Sequence, residues 1–402
     1  MKLQAVILGG GRGTRLGPLT ATTPKPLLEI AGRPFVVHLL EELARFGFED
    51  VVLLVGPFEA AYRRLLGDGA DLELKLTFLP EPFPAGTAGA LRFAEDRLSP
   101  SFLLLNGDSW FDVNYLDLVS AADGTDGIGT IALRAVADVA RYGRVTLDGE
   151  RIVGFAEKAA AGPGAINAGA YWLSRRVFDW IGEPPVSLEN DVLPVLAARG
   201  LLRGRVHEGR FIDIGTPESF AEAQRVLADW RRRPAAFLDR DGVINVDIGY
   251  LHRPEDCRWI EGAVEAIRRL NDLGYLVVVV TNQAGVARGY YGEADVQRLH
   301  DWMNRQFRAA GAHVDAFYYC PCHPEGTVPA YSRKSDRRKP APGMILEAIR
   351  DWRIDTAASF LIGDKDSDLE AARRAGIPGY LFTGEGLGAL VEEALGEAGR
   401  GA

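Results

Sequence analysis

Short apolar runs that end abruptly in glycine or acid constrain this chain more than any other feature. Ala5–Leu8 runs into Gly9-Gly10-Gly11-Arg12-Gly13, and Val51–Val55 and Phe102–Leu105 are equally short and apolar. Stretches of helical period, such as Val36–Phe46, lie between them. Short buried strands alternating with helices specify a parallel α/β sheet. Around position 230 the pattern restarts. Ala221–Trp230 reads as a closing helix, and Arg231-Arg232-Arg233-Pro234 as its stop and a linker. Ala235–Leu238 then opens a second series that ends in Asp239-Arg240-Asp241-Gly242. Leu276–Val280 runs into Thr281-Asn282, and Phe360–Ile362 into Gly363-Asp364. The expected fold class is therefore α/β, with two Rossmann-like three-layer domains in tandem, 1–232 and 233–402. Open α/β sheets bind ligands at the carboxyl ends of their strands, where these polar clusters fall.

Composition excludes several function classes. A chain of 402 residues, 47% hydrophobic and 25% charged, is globular. A formal net charge of -9 argues against a nucleic-acid-coating or membrane-surface protein. It leaves room for phosphate ligands held by a few local cations. Three cysteines, two of them close together at Cys320 and Cys322, argue against a disulfide framework and for a cytoplasmic setting. No apolar run approaches the roughly 18 residues of a bilayer span. The start, apolar only to Leu8, is too short for a secretory leader. The oligomeric state stays open, a homo-oligomer included.

The first glycine loop carries phosphate chemistry. Glycines admit close backbone approach, and their free N–H groups form an anion-binding nest. Arg15 can bridge phosphate oxygens, and Lys25 sits a short loop away. The loop is neither a GxGxxG fingerprint nor a Walker loop. The string from Gly10 to Thr20, followed by Pro24-Lys25-Pro26-Leu27, resembles the signature of the sugar-1-phosphate nucleotidyltransferases. Gly86-Thr87-Ala88-Gly89-Ala90 resembles that family's base-contacting segment, and Asn106-Gly107-Asp108 its first metal-binding aspartate. Glu157-Lys158 and Asn167-Ala168-Gly169 resemble its sugar-phosphate contacts, and Phe211–Pro217 the segment with the second metal-binding aspartate. The resemblance implies nucleotide binding by Leu8, Gly9, Gly10, Gly11, Gly13, Thr14, Arg15, Lys25, Gly86, Thr87 and Asp108. It implies sugar-phosphate binding by Gly143, Glu157, Lys158 and Asn167, and Mg²⁺ on Asp108 and Asp213. In-line attack of one anion on another needs positioning and charge neutralisation rather than a general base, work that falls to Arg15, Lys25 and the metal. Gly86–Ala90, Asn106–Asp112 and Ser187–Asp191 look more like mannose- and heptose-type guanylyltransferases, users of GTP, than like thymidylyl enzymes.

The second series carries a different chemistry. Carboxylates two apart on a strand-end loop suit a phosphatase, one attacking phosphorus and the other moving protons. Asp239-Arg240-Asp241, Thr281-Asn282-Gln283, Arg338-Lys339-Pro340 and Gly363-Asp364-Lys365-Asp366 follow in the order that resembles the haloacid dehalogenase phosphatase superfamily. The resemblance implies Asp239 as nucleophile and Asp241 as acid/base. It puts Mg²⁺ on Asp239, Asp364 and Asp241 (the last through its backbone carbonyl). Thr281, Asn282, Arg338 and Lys339 would hold the phosphoryl group. Gly249-Tyr250-Leu251-His252 and Tyr319-Cys320-Pro321-Cys322-His323-Pro324 bring the match closest to heptose bisphosphate phosphatases, then to histidinol phosphatases, with His252 a candidate substrate contact. Many of that group carry a zinc loop whose second cysteine pair here reads Ser335-Asp336-Arg337. Only Cys320, Cys322 and His323 remain of a set that needs four ligands. The zinc is expected to be lost, and Arg333, Lys334 and Asp336 to support the loop instead.

The two resemblances describe consecutive steps. A heptose bisphosphate loses its 7-phosphate, and the remaining α-anomeric 1-phosphate receives GMP from GTP, as in the making of surface-glycan precursors. A mannose 1-phosphate guanylyltransferase joined to a histidinol-phosphatase-like enzyme stays open. So does a regulatory nucleotide-binding module beside an active phosphatase, although the presence of Arg15, Lys25, Asp108, Lys158 and Asp213 argues against it.

Overall fold

The computed structural model describes residues 3–11, 13–20, 22–122, 126–140, 143–156 and 161–401. The chain divides into two compact units, Met1–Asp229 and Trp230–Ala402. Among the described residues no helix is long and apolar enough to cross a membrane.

The first unit is built on a nine-stranded mixed sheet. Strands 75–79, 50–54, 4–8 and 101–106 run parallel in that spatial order, with Val6 opposite both Val52 and Leu104. Their uninterrupted apolar runs follow from burial on both faces: Ala5, Val6 and Ile7 are wholly buried. Strand Gly164–Ser174 pairs antiparallel with Ser101–Asn106 and with Gly129–Val136. Its register shifts between Asn167 and Tyr171, where Gly169 takes φ 75. A Cβ at Gly169 would fall 2.8 Å from Asn106 Nδ2, so only glycine lets this strand crowd the end of its neighbour. A separate two-stranded ribbon pairs Ser109–Phe111 with Phe211–Asp213. It sets Asp213 opposite Ser109, and the Ile214 amide donates to the Asp108 carbonyl at 2.9 Å. Backbone segments far apart in sequence, each carrying one of these aspartates, are thus joined.

The second unit has a five-stranded, wholly parallel sheet in the order 316–320, 276–282, 235–238, 360–363, 379–381. Ala235–Leu238 is central, with Leu238 opposite Val279 on one side and Ile362 on the other. Asp239, Thr281-Asn282 and Asp364 therefore leave three adjacent strand ends. Helix Asp366–Ala375 starts directly after the fourth of these strands. Gly363 allows its close packing, since a Cβ there would lie 2.2 Å from that of Asp368.

Candidate active sites

In the first unit the loop after Leu8 is fixed by packing. The Gly9 amide donates to Leu54 O at 2.7 Å, and the Tyr62 hydroxyl donates to Gly9 O at 3.0 Å. A Cβ on Gly10 would fall 2.4 Å from Glu81 Oε1. A cavity of about 410 Å³ follows, lined by Leu8, Gly10, Gly11, Glu81, Gly86 and Thr87 among others. Gly86 sits at φ 78, with the Val186 carbonyl where a Cβ would go. Thr87 Oγ1 accepts from the Leu188 amide at 2.7 Å and donates to Glu189 Oε2 at 2.8 Å. Burial pushes the pKa of Glu81 up, while N–H groups of Ala85 and Gly56 donate to its carboxylate and oppose the shift.

A second cavity of about 230 Å³ is lined by Asn106, Gly143, Arg144, Asn167, Glu189 and Asp213 among others. Asn167 is oriented by the Gly169 amide at 3.1 Å and by Tyr171 Oη at 2.9 Å. Lys25 Nζ and Asp108 Oδ2 form an ion pair at 2.8 Å. Leu8, Gly10, Gly11, Gly86 and Thr87 thus border the first cavity, and Gly143, Asn167 and Asp213 the second. Lys25 and Asp108, expected nucleotide contacts, pair with each other and line neither cavity, and three more stand elsewhere. Gly9 is drawn into the sheet by its own hydrogen bonds, and Gly13, at φ 60, packs against Lys25. Arg15 is solvent-exposed at the turn Thr14–Thr20 and lines neither cavity. Glu157 and Lys158 lie outside the described residues. Glu81 and Arg144 escaped the sequence reading, having no motif to mark them.

In the second unit Lys339 organises the site. Its Nζ lies 2.8 Å from Asp239 Oδ1, 2.7 Å from Asp368 Oδ1 and 2.8 Å from the Val280 carbonyl, with 2% of the side chain exposed. Burial pushes Asp239 up to about 6, and the Lys339 ammonium opposes that shift. Asp239, Asp364 and Asp368 each bring an oxygen within 4.8 Å of the others. Asp364 Oδ1 is buried with no hydrogen-bond partner, as a cation ligand would be. Three hard carboxylates suit a divalent cation such as Mg²⁺. Asp368, four residues after Asp364 on the first turn of a helix, was not expected here.

Asp241 and Asn282 both border the site's cavity, oriented by hydrogen bonds that the sequence did not show. The Asp241 carboxylate is no part of the trio. It is held by Arg240 Nη2 at 2.9 Å, Asn245 Nδ2 at 2.9 Å and Gln283 Nε2 at 2.9 Å, and borders the site's cavity of about 310 Å³. Asn282 spends its amide on the Lys339 backbone, at 3.1 Å and 3.0 Å, and so fixes that lysine. Thr281 and Lys339 line the cavity, whereas the Arg338 guanidinium donates to Cys322 O at 3.3 Å. His252 stacks on Tyr291 at 4.7 Å, leaving the cavity face to Tyr250 and Tyr291.

The loop after Cys320 carries polar contacts of its own. The Cys320 thiol donates to Cys322 O at 3.9 Å, and His323 Nδ1 accepts from the Glu325 amide at 3.1 Å. Its support differs from the expectation: the Glu293 carboxylate accepts from Tyr331 at 2.6 Å and Tyr319 at 2.7 Å. Asp336 contributes its backbone carbonyl, to Gly343, at 2.8 Å.

Fold and sites define two catalysts on one chain, a nucleotidyltransferase and a phosphomonoester hydrolase. Residues 4–229 match the nucleotidyl transferase family and residues 336–394 the HAD-hydrolase-like family. The first unit is similar to HddC from Yersinia pseudotuberculosis (31% identity, TM-score 0.51, covering 56% of this chain and 99% of that one). HddC in complex with GMP-PN matches at 30% identity, TM-score 0.51 and the same coverage. Over 171 residues the chain is 50% identical to the D-glycero-beta-D-manno-heptose-1,7-bisphosphate 7-phosphatase of Rhodopseudomonas palustris, covering 42% of this chain and 95% of that protein. It is also 50% identical, over 143 residues (36% of this chain, 76% of that one), to the alpha-anomer phosphatase of Burkholderia mallei. The chain belongs to the nucleotidyl transferase family through its first unit and to the heptose bisphosphate phosphatase family through its second.

Proposed function

We propose that the chain carries out two consecutive steps of GDP-heptose synthesis. The second unit removes the 7-phosphate of D-glycero-D-manno-heptose 1,7-bisphosphate, and the first joins the resulting 1-phosphate to GMP from GTP with release of pyrophosphate. The observation that carries this reading is the pairing, on one chain, of a buried Asp239–Lys339–Asp368 constellation with a separate nucleotide-sized cavity.

In the phosphatase step Asp239 attacks phosphorus while the bond to the sugar oxygen breaks. That oxygen leaves with the Asp241 proton. Water then attacks the aspartyl-phosphate and returns a proton to Asp241, releasing phosphate and free Asp239. Lys339 keeps the nucleophile ionised despite its burial, and Asp364 and Asp368 would hold a Mg²⁺ ion. The metal supplies charge neutralisation for the phosphoryl oxygens. In the transfer step the sugar phosphate is already an anion, and Asn167, Gly143 and Lys158 place it. Asp108 and Asp213 would hold Mg²⁺, and Lys25, now Asp108's partner, would be released to the phosphates.

Glu81 supports guanine. Guanine presents two adjacent donors, N1–H and the N2 amino group, which a carboxylate accepts together, whereas thymine offers one donor flanked by carbonyls. The α-anomer is taken because guanylyl transfer follows; relatives of both anomeric names stand at 50% identity. Rates on both anomers, with GTP and TTP, test this. GTP and the α-anomer are expected to lead by tenfold or more, and Glu81→Gln is expected to erase the GTP preference. Equal use of TTP by the parent chain would remove the guanine assignment.

A further inference from the structure

We propose that Gln283 is a positioning residue that aims the Asp241 carboxylate at the leaving oxygen. The inference rests on the reading of Asp241 as the acid/base, and it goes beyond it by naming what holds that group. Gln283 is 2% exposed and lies 42 positions from Asp241. Its Nε2 donates to Asp241 Oδ2 at 2.9 Å and to Thr281 Oγ1 at 2.9 Å, and its Oε1 accepts from the Tyr291 hydroxyl at 2.8 Å. Both amide hydrogens and the carbonyl are thus engaged, which leaves the amide one orientation. The backbone is pinned as well: the Gln283 amide donates to Cys320 O at 2.8 Å. Tyr291 is braced in turn. A Cβ at Gly285 would lie 2.2 Å from its ring, and His252, from the loop at the cavity mouth, stacks on it.

On Asp241, Arg240 and Asn245 share Oδ1 at 3.0–3.2 Å and 2.9 Å, and Arg240 also reaches Oδ2. Arg240 and Asn245 belong to the same loop as Asp241, the Arg240 guanidinium being held in turn by His300 Nε2 at 3.1 Å and Leu251 O at 3.0 Å. Gln283 alone of these donors comes from the neighbouring strand end, where Thr281 borders the cavity. It therefore ties the direction of the proton donor to the phosphoryl site. During the first chemical step the bond from phosphorus to the sugar oxygen breaks, its electron pair stays on that oxygen, and the Asp241 proton must arrive there. A carboxylate turned away by about an ångström delivers it poorly.

The test compares two phosphate esters on the full chain. One is an alkyl ester, the heptose bisphosphate, whose alkoxide needs the proton. The other is p-nitrophenyl phosphate, whose phenolate leaves without one. The ratio of their kcat/KM values reads proton delivery, because kcat/KM covers only the steps up to departure of the leaving group. Gln283→Met keeps the volume and loses the hydrogen bonds; it is expected to lower the alkyl-to-aryl ratio by roughly 30–100-fold. Tyr291→Phe, which removes one bond from Gln283, is expected to lower it by about threefold. The thermal midpoint of the second unit, measured on the same samples, reports the integrity of each preparation. An equal fall on both esters, or none on either, overturns the proposal. Asp241→Asn separates the layers: if it leaves the ratio unchanged, the acid/base reading itself fails and the proposal goes with it.

Discussion

Lys339→Met is the sharpest perturbation of the second unit. The ammonium is buried and satisfied by two carboxylates and a carbonyl, at 2.8, 2.7 and 2.8 Å. Removing it leaves Asp239 and Asp368 as adjacent buried acids without a cation, and breaking a buried pair from one side costs about 3–5 kcal/mol. For a unit of this size that corresponds to roughly 6–20 °C in the midpoint of its thermal transition. Asp239, already raised by burial, loses the charge that opposes the shift and takes up a proton, so its nucleophilic form disappears. Differential scanning calorimetry in the presence of a chelator reads the stability, and phosphate release with Mg²⁺ reads the activity. Lys339→Met/Asp368→Asn should regain part of the stability, because one uncompensated charge is gone, and none of the activity. A second-unit midpoint shifted by less than about 2 °C would refute the reasoning, because Lys339 would then not be compensating buried charge.

Other outcomes follow from the same geometry. Asp239→Asn should abolish phosphate release and leave transfer intact, and Asp108→Ala the reverse; loss of both activities in either folded variant would contradict independent sites. His207 is partly buried, its Nε2 3.6 Å from Asp117 Oδ2, and loss of solvation holds it down at about 4 although that carboxylate opposes the shift. The unfolded chain protonates this histidine first, so its contribution is complete above about pH 6.5 and is lost as pH falls toward 4, by about 3 kcal/mol. Urea midpoints of the first unit should show that slope, and His207→Phe should flatten it. Glu293→Gln weakens two hydrogen bonds to tyrosines and should cost the second unit about 1–2 kcal/mol; zinc or a zinc chelator should leave the parent's melting curve in place. Gly86→Ala must force a side chain into φ 78 against the Val186 carbonyl. It should cost about 1–3 kcal/mol and raise the KM for the nucleotide.

The sequence made the strand ends legible because burial on both faces writes a continuous apolar run, and the residue that stops the run is the one delivered to the site. Asp239, Thr281 and Asp364 were found that way. Asp368 was within reach: on a helix starting at Asp366, its side chain lies one turn from the strand end. What pattern could not give was direction. Asp241 and Asn282 sit where expected, yet one carboxylate faces Gln283 and Asn245 and one amide faces the Lys339 backbone. Those partners are 4 to 57 positions away, and side-chain orientation depends on all of them at once. Glu81 and Arg144 were invisible for a related reason: a lone charge is ordinary until a cavity forms around it. The support of the loop after Cys320 was sought in nearby charges and came instead from Glu293, on helix Glu293–Ala309.

The central claim is that one chain performs both steps in order. Phosphorus NMR of the purified protein with Mg²⁺ and the α-anomer of the heptose bisphosphate, before and after addition of GTP, tests it most directly. The account predicts that the 7-phosphate resonance gives way to inorganic phosphate while the 1-phosphate persists. On GTP addition the 1-phosphate should disappear into the paired resonances of a GDP-sugar, with pyrophosphate alongside. A 7-phosphate that survives, or a 1-phosphate that stays unchanged with GTP present, would contradict it.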